Sequence, residues 1–423
     1  MAHRVRSSRL LGAAVVAGLV LTVLTPTAAP AQSVVPPNAV LAWNIHAQTA
    51  IYEVARQSPT AGTRSFAMAQ GAVYDAVNAI AGTPYEPYLV APSADRGDSV
   101  PAAVATAAYR VLLSLFPAQA DALRAQYDAA LADIPDGHAE RGGIRVGQAA
   151  AAAMIASRRD DGAFSDATWP VGTAPGAYRL TPPGFVQAGA WFAFLRPFVV
   201  DNPAAYRVPG PPALTSAAYA RQLNEVKSLG SATSTTRTQD QTEAATWWDD
   251  YRQVEWYIKR GLAADHRLSP LQTARMLAMV DVSTADALIS CYQQKRHWRL
   301  WRPVTAIPLA DIDGNPATVA DPAWTPLRVT APSPEWPSGH ACYTSSVMTA
   351  LRSFFGRDKL SFGAYSADSG TTRHYDSLSS ARAELMEARI WAGVHYRGAT
   401  LHGDRLGEAV TLEVLANEFG RRH

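Results

Sequence analysis

Residues Pro270 to Trp301 read PLQTARMLAMVDVSTADALISCYQQKRHWRLW. Apolar side chains recur at Leu271, Ala274, Ala278, Val282, Ala285 and Ile289, steps of three and four that line one face of a helix. The same period extends outward in both directions. Upstream lie alanine-rich amphipathic stretches at about 39 to 57, 64 to 81, 100 to 115, 118 to 132 and 138 to 159, then Ser216 to Leu229 and Asp240 to Gly261. Downstream the pattern resumes at about 338 to 355, 379 to 393 and 402 to 419. Two interruptions separate these runs. Between Asp160 and Pro212 Gly, Pro and aromatic residues take over, among them Trp169, Pro182, Pro183 and Trp191, and a second break runs from Pro303 to Pro337. The aromatic content marks the first as an ordered surface excursion, unlike a Gly/Ser linker. Strand-like alternation is scarce and no internal repeat is evident. The pattern predicts an all-α fold, two packed helical bundles in one unit over 32–423.

A chain of 423 residues with 48% hydrophobic and 17% charged side chains can bury a large core, which excludes intrinsic disorder. Residues 1–31 read as a secretory signal: Arg4, Arg6 and Arg9, an apolar run from Leu10 to Leu24, and the small-residue end Ala29-Pro30-Ala31. That run is short for a membrane span of about twenty residues. Cleavage before Gln32 and a secreted product without a membrane anchor are therefore expected. Loss of the three arginines takes the formal charge from +2 to −1, so nucleic-acid binding through a general basic surface is disfavoured. Cys291 and Cys342 are the only cysteines, which rules out tandem disulfide modules.

Three clusters carry the chemistry. In Lys295-Arg296-His297-Trp298-Arg299-Leu300-Trp301-Arg302-Pro303, Lys295 and Arg302 are seven apart, so a continuous helix projects both from one face. The chain has only four lysines against thirty-four arginines, and a lysine here runs against that bias. By itself the cluster also reads as a solvated basic helix end. In Pro337-Ser338-Gly339-His340, ahead of the helical run Ala341 to Phe355, free N–H groups, the Ser338 hydroxyl and His340 converge at a helix start. This is either an anion site with an acid–base group attached or a simple cap. In Arg389-Ile390-Trp391-Ala392-Gly393-Val394-His395-Tyr396-Arg397, Arg389 and His395 are six apart. On an unbroken helix they lie about 120° apart, so they meet only if the helix ends near Gly393 or Arg389 reaches around. The alternative is a satisfied core histidine.

In this order the clusters resemble the superfamily that unites vanadium-dependent haloperoxidases with type 2 phosphatidic acid phosphatases and bacterial acid phosphatases. Its signature is K-x6-R-P, then P-S-G-H, then S-R-x5-H, and the motifs cover about 286–403 here. Tyr74-Asp75-Ala76-Val77-Asn78-Ala79-Ile80 and Asp240-Gln241-Thr242-Glu243 are similar to secreted bacterial members. Ala285-Asp286-Ala287 and Trp301-Arg302-Pro303-Val304-Thr305-Ala306-Ile307 look more like the haloperoxidase branch. The resemblance implies that Lys295, Arg302 and Arg389 bind the oxygens of vanadate or phosphate, helped by the Ser338 hydroxyl and the Gly339 N–H. It implies His340 as the general acid–base group. His395 is implied as the axial ligand of vanadium in a secreted haloperoxidase, which takes hydrogen peroxide, halide and a small organic acceptor. In an extracytoplasmic acid phosphatase acting on a phosphate ester, the same nitrogen attacks phosphorus and forms a phosphohistidine. A binding protein without catalysis would not need His340. The leading expectation is the haloperoxidase with vanadate as cofactor; the alternative is the phosphatase.

Some positions depart from the family pattern. Ala388 stands where a serine precedes the arginine, and Ala399 where an aspartate follows the histidine by four residues. His395 then needs another partner for its second nitrogen, with Asp404 or a backbone carbonyl as candidates. Tyr292 and Ser333 correspond to the aromatic residues of the halide pocket in the fungal chloroperoxidases. Convergence of the first two motifs also brings Cys291 and Cys342 into one neighbourhood, where export permits a disulfide.

Overall fold

Short polar side chains set most of the helix starts. Asn38, Ser58, Ser99, Ser216, Thr238, Ser269, Ser338 and Ser377 each accept a backbone N–H from the first turn of the helix that follows. The computed structural model describes Met1 and residues 38–422; the expected signal segment, Met1 aside, and its cleavage point lie outside the described residues. The first helices are α1 (Ala39–Gln48), which runs on into a π turn at Thr49–Val54, then α2 (Pro59–Ile80), α3 (Val100–Leu115), α4 (Ala120–Ala132) and α5 (His138–Ser157). After the irregular segment come α6 (Ala217–Leu229), α7 (Gln239–Trp247), α8 (Tyr251–Asp265), α9 (Pro270–Trp298) and the single turn α10 (Pro303–Ala306). The chain closes with α11 (Gly339–Phe355), α12 (Leu378–Trp391) and α13 (Arg397–Asn417).

The protein is all-α apart from one small hairpin, β1 (Phe362–Ser366) with β2 (Thr371–Tyr375), in which Phe362 faces Tyr375. It is the only sheet among the described residues. The centre is built by α2 and α9, which pack on each other and are buried on nearly every side. Two bundles grow from that pair: α3 and α5 cover α2, while α11 and α13 cover α9. A Cβ on Gly403 would stand 2.5 Å from the Ser338 carbonyl oxygen, so the glycine lets α13 press against the start of α11. Among the described residues no helix is long and apolar enough to cross a membrane.

Two helical runs end earlier than their sequence pattern predicts, and both ends shape the site. The run from Asp240 to Gly261 is broken at Trp248 to Asp250. Trp248 is fully buried and its indole N–H donates to Glu384 Oε1 at 3.0 Å, a tertiary anchor that overrides local helix preference. The run to Trp301 stops at Trp298, where Arg299 turns left-handed at φ 49°, and Pro303 holds Arg302 extended at φ −84°, ψ 156°. Lys295 and Arg302 therefore do not share one helix face.

The segment 160–212 is tied down by α9. The buried Asp286 carboxylate accepts the N–H groups of Phe198, Val199 and Val200 at 2.6, 2.8 and 2.8 Å. Tyr178 N–H donates to the Arg299 carbonyl at 2.7 Å, and Trp301 N–H to that of Gly176 at 2.9 Å. Trp169, Tyr178 and Ala190 form a buried cluster against Tyr292.

Candidate active site

Helix ends assemble the site. Lys295 stands in the last turn of α9, and Arg302 in the extended residue before α10. Gly339 and His340 open α11, Arg389 closes α12, and His395 sits in the link to α13. That link turns at Gly393, with φ 78°; a Cβ there would lie 2.3 Å from the Gly230 carbonyl oxygen. Because α12 ends at Trp391, Arg389 and His395 meet, as the six-residue spacing requires. Lys295, Arg302, Gly339, His340, Arg389 and His395 all line one cavity of about 250 Å³. Ser338 is set behind that wall, fully buried, with its Oγ accepting Ala341 N–H at 3.4 Å as the cap of α11.

The cavity concentrates positive charge away from water. Lys295, Arg302 and Arg389 are 1%, 1% and 2% exposed. Lys295 Nζ donates to the Pro334 and Glu335 carbonyls at 2.7 and 3.2 Å. Arg302 donates from Nε to the Ser333 carbonyl at 2.7 Å, from Nη2 to Ser333 Oγ at 3.1 Å and from Nη1 to the Val394 carbonyl at 3.0 Å. Arg389 Nη1 reaches Asp249 Oδ1 at 3.3 Å, but Asp249 is shared with Arg328 at 2.8 Å. Asp249, divided between Arg389 and Arg328, and Glu335 are the carboxylates seen beside these cations among the described residues. Burial, then the Arg302 guanidinium, pulls the Lys295 ammonium down to about 8. Burial pushes His395 well below the ordinary imidazole value, and Arg302, Lys295 and Arg389 push the same way. A cluster of buried cations beside a neutral imidazole suits an oxyanion, whose charge would offset the desolvation cost.

Space is left for one. A Cβ on Gly339 would make only ordinary contacts, 3.7 Å to Lys295 Cε and 4.0 Å to Tyr292, so it would fill open room against the lysine. Vanadate or phosphate fits this donor set: arginine forks and a lysine for the oxygens, and a neutral histidine nitrogen at one end. Tyr292 also lines the cavity and packs on Trp169 and Phe192, while Ser333 holds Arg302. Cys291 and Cys342 are neighbouring buried thiols with no bond between them; burial, then contact with Cys291, pushes the Cys342 thiol well up.

Two acidic residues that the motifs do not single out belong to the site. Asp249 arrives through the break between α7 and α8. Glu335 is fully buried, with Oε1 2.8 Å from His395 Nδ1 and accepting Tyr396 N–H at 3.0 Å. Burial lifts its carboxyl to about 7. Its one signal in sequence is that it is the only carboxylate between Asp321 and Asp358. Asp404 does not take the place of the aspartate missing at Ala399: its carboxylate pairs with Arg382. The Ala399 carbonyl accepts Ser338 N–H at 3.0 Å.

Fold and cavity together define a helical-bundle protein with a buried, cation-lined cavity. Residues 275–419 match the family described as the VCPO second helical-bundle domain. Over 109 residues the chain is 30% identical to vanadium chloroperoxidase of Curvularia inaequalis; the match takes in 23% of this chain and 17% of that protein's length. The structure is similar to that of the first bacterial vanadium-dependent iodoperoxidase, with TM-score 0.76 and 22% identity, covering 91% of this chain and 96% of the other. It is also similar to a holo-type bacterial vanadium-dependent chloroperoxidase, with TM-score 0.67 and 16% identity over 86% and 93% of the two chains. Residues 275–419 therefore correspond to that second helical-bundle domain, and the chain as a whole shares its fold with bacterial vanadium-dependent haloperoxidases.

Proposed function

We propose that this protein is a secreted vanadium-dependent haloperoxidase, which oxidises halide with hydrogen peroxide at vanadate held by His395. The observation that carries the reading is the single cavity walled by three buried cations and two histidines. The printed names of the similar proteins, iodoperoxidase and chloroperoxidase, point the same way. Bound vanadate would supply an electrophilic centre that activates peroxide toward halide. Lys295, Arg302 and Arg389 would hold its oxygens and neutralise their charge. The Gly339 N–H at the start of α11 adds a fixed donor, and Ser338 caps that helix. His395, which lines the same cavity, would offer vanadate a ring nitrogen. His340, half-buried in the first turn of α11, holds or delivers the proton that peroxide and water exchange. The excursion carrying Trp169 and Phe192 backs Tyr292 and limits water at that side of the cavity.

The phosphatase alternative keeps one observation in its favour: the Glu335 carboxylate on His395 Nδ1 is the kind of partner a histidine nucleophile uses. Purified protein decides between the two. A haloperoxidase halogenates a phenol with peroxide and chloride, bromide or iodide only after vanadate is added, and His395→Ala abolishes this. His340→Ala still binds vanadate but turns over about 10²- to 10⁴-fold more slowly. Hydrolysis of a phosphomonoester without vanadate, inhibited by vanadate and passing through phosphohistidine, would instead establish the phosphatase. An N-terminus at Gln32 on protein recovered from the culture medium checks export.

A further inference from the structure

We propose that Glu335 is the positioning residue for His395: its Oε1 accepts the Nδ1–H of the imidazole and so turns a bare Nε2 into the cavity, the role left vacant by Ala399. The inference rests on the reading of His395 as the residue that takes the oxyanion. Oε1 lies 2.8 Å from Nδ1 and also receives the main-chain N–H of Tyr396 at 3.0 Å. An oxygen that already receives an N–H serves as an acceptor, so the proton of the shared bond belongs to Nδ1. This holds in either charge state of the carboxyl. When Glu335 is neutral its proton sits on Oε2, which is buried without a hydrogen-bond partner, and Oε1 still accepts.

Arg302 bears on the same ring. Arg302 Nη1 stands 3.1 Å from His395 Nε2 and 3.4 Å from Nδ1. Two such similar distances put the guanidinium over the face of the ring, where it presses on the imidazole's orientation and leaves the choice of tautomer to Glu335. Nδ1 is already taken at the shorter distance to Glu335. The clamp is also held at its own backbone: Glu335 N–H donates to the Leu300 carbonyl at 3.0 Å, and its carbonyl accepts Lys295 Nζ at 3.2 Å. One residue thus ties the α9 lysine, the segment leading to Arg302 and the imidazole into one geometry. A carboxylate on the second nitrogen of a ligating histidine fixes tautomer and ring orientation, and its loss typically costs about 10- to 100-fold in affinity.

Glu335→Met removes the acceptor at similar volume, and Glu335→Gln keeps an oxygen that can occupy the Oε1 position. Two readouts apply: the tautomer of His395 by ¹⁵N NMR of vanadate-free protein, with the resonance identified by its loss in His395→Ala, and vanadate affinity by equilibrium dialysis. The expected result is an Nδ1–H tautomer in the wild type and in Glu335→Gln, and a mixture in Glu335→Met. Vanadate should bind about 10- to 100-fold more weakly to Glu335→Met, with most of the loss recovered in Glu335→Gln. A wild-type His395 protonated on Nε2 overturns the proposal even if Glu335→Met fails to fold. So does a folded Glu335→Met that binds vanadate as the wild type does. Wild-type protein with the expected tautomer but no vanadate binding overturns the haloperoxidase reading and leaves the Glu335–His395 pairing in place.

Discussion

Lys295 is the clearest residue whose chemistry follows from its surroundings. Desolvation and the Arg302 guanidinium bring its ammonium down to about 8, from an ordinary value near 10.5. The charged form is the one that attracts an anion, so affinity is fullest below about pH 8 and falls as the pH rises through it. Sulfate stays dianionic over this range and isolates the protein's own titration. Calorimetry from pH 7 to 9.5 should show affinity for it falling above pH 8, by up to about tenfold per unit. Lys295→Met should bind weakly and without that slope; a flat wild-type profile would refute the account. At this scale the sequence is legible where charge runs against composition, as at Lys295, and where spacing repeats a family motif. Glu335 was not, because its partner His395 is sixty residues further on and no local pattern marks a contact across that distance.

At the scale of elements, helix ends matter as much as helices. The excursion 160–212 contributes Trp169 and Phe192 behind Tyr292, and it is held there by Asp286 on the buried face of α9. Asp286→Ala leaves the N–H groups of Phe198, Val199 and Val200 without their acceptor. Each buried donor left unsatisfied costs about 1 to 3 kcal/mol, and those of Phe198 and Val200 are buried, so the variant should lose at least about 2 kcal/mol in denaturant unfolding. Amide exchange in residues 190–200 should quicken more than in α2 or α13, and uniform protection would show that the carboxylate is not the anchor. Helical periodicity revealed α9 but not its end at Trp298. That end depends on Pro303 holding Arg302 extended and on the pairing of Leu300 with Ala177 of the excursion.

Across the whole molecule, α9, α11 and α12 each bring a cation or histidine to one cavity, and the like charges repel until an anion is shared. Vanadate should therefore stabilise the fold as well as complete the site. At a hundredfold excess over its Kd the linkage gain is about 2.7 kcal/mol, enough to raise the thermal midpoint by a few degrees. His395→Ala should show a smaller gain at the same vanadate concentration, since the cations remain but the histidine nitrogen is lost. An unchanged midpoint for the wild type would mean that the cavity does not bind vanadate.

The sequence by itself determined the all-α class and most helix positions, because hydrophobic period and capping residues act within one or two turns. It also determined the three motif clusters, whose order and spacing are local properties. Only the tertiary structure decided that Lys295 and Arg302 meet across a helix end, that Ser338 stands behind the cavity wall, and that Asp249 and Glu335 are the carboxylates of the site. The hairpin at 362–375 belongs with these, since its inward residues Phe362 and Tyr375 make sense only against α8 and Trp247. The physical reason is common to all of them: buried charge is placed by whichever partner the packed fold brings within about 3 Å, and that partner is set by how elements dock, not by what precedes it in the chain.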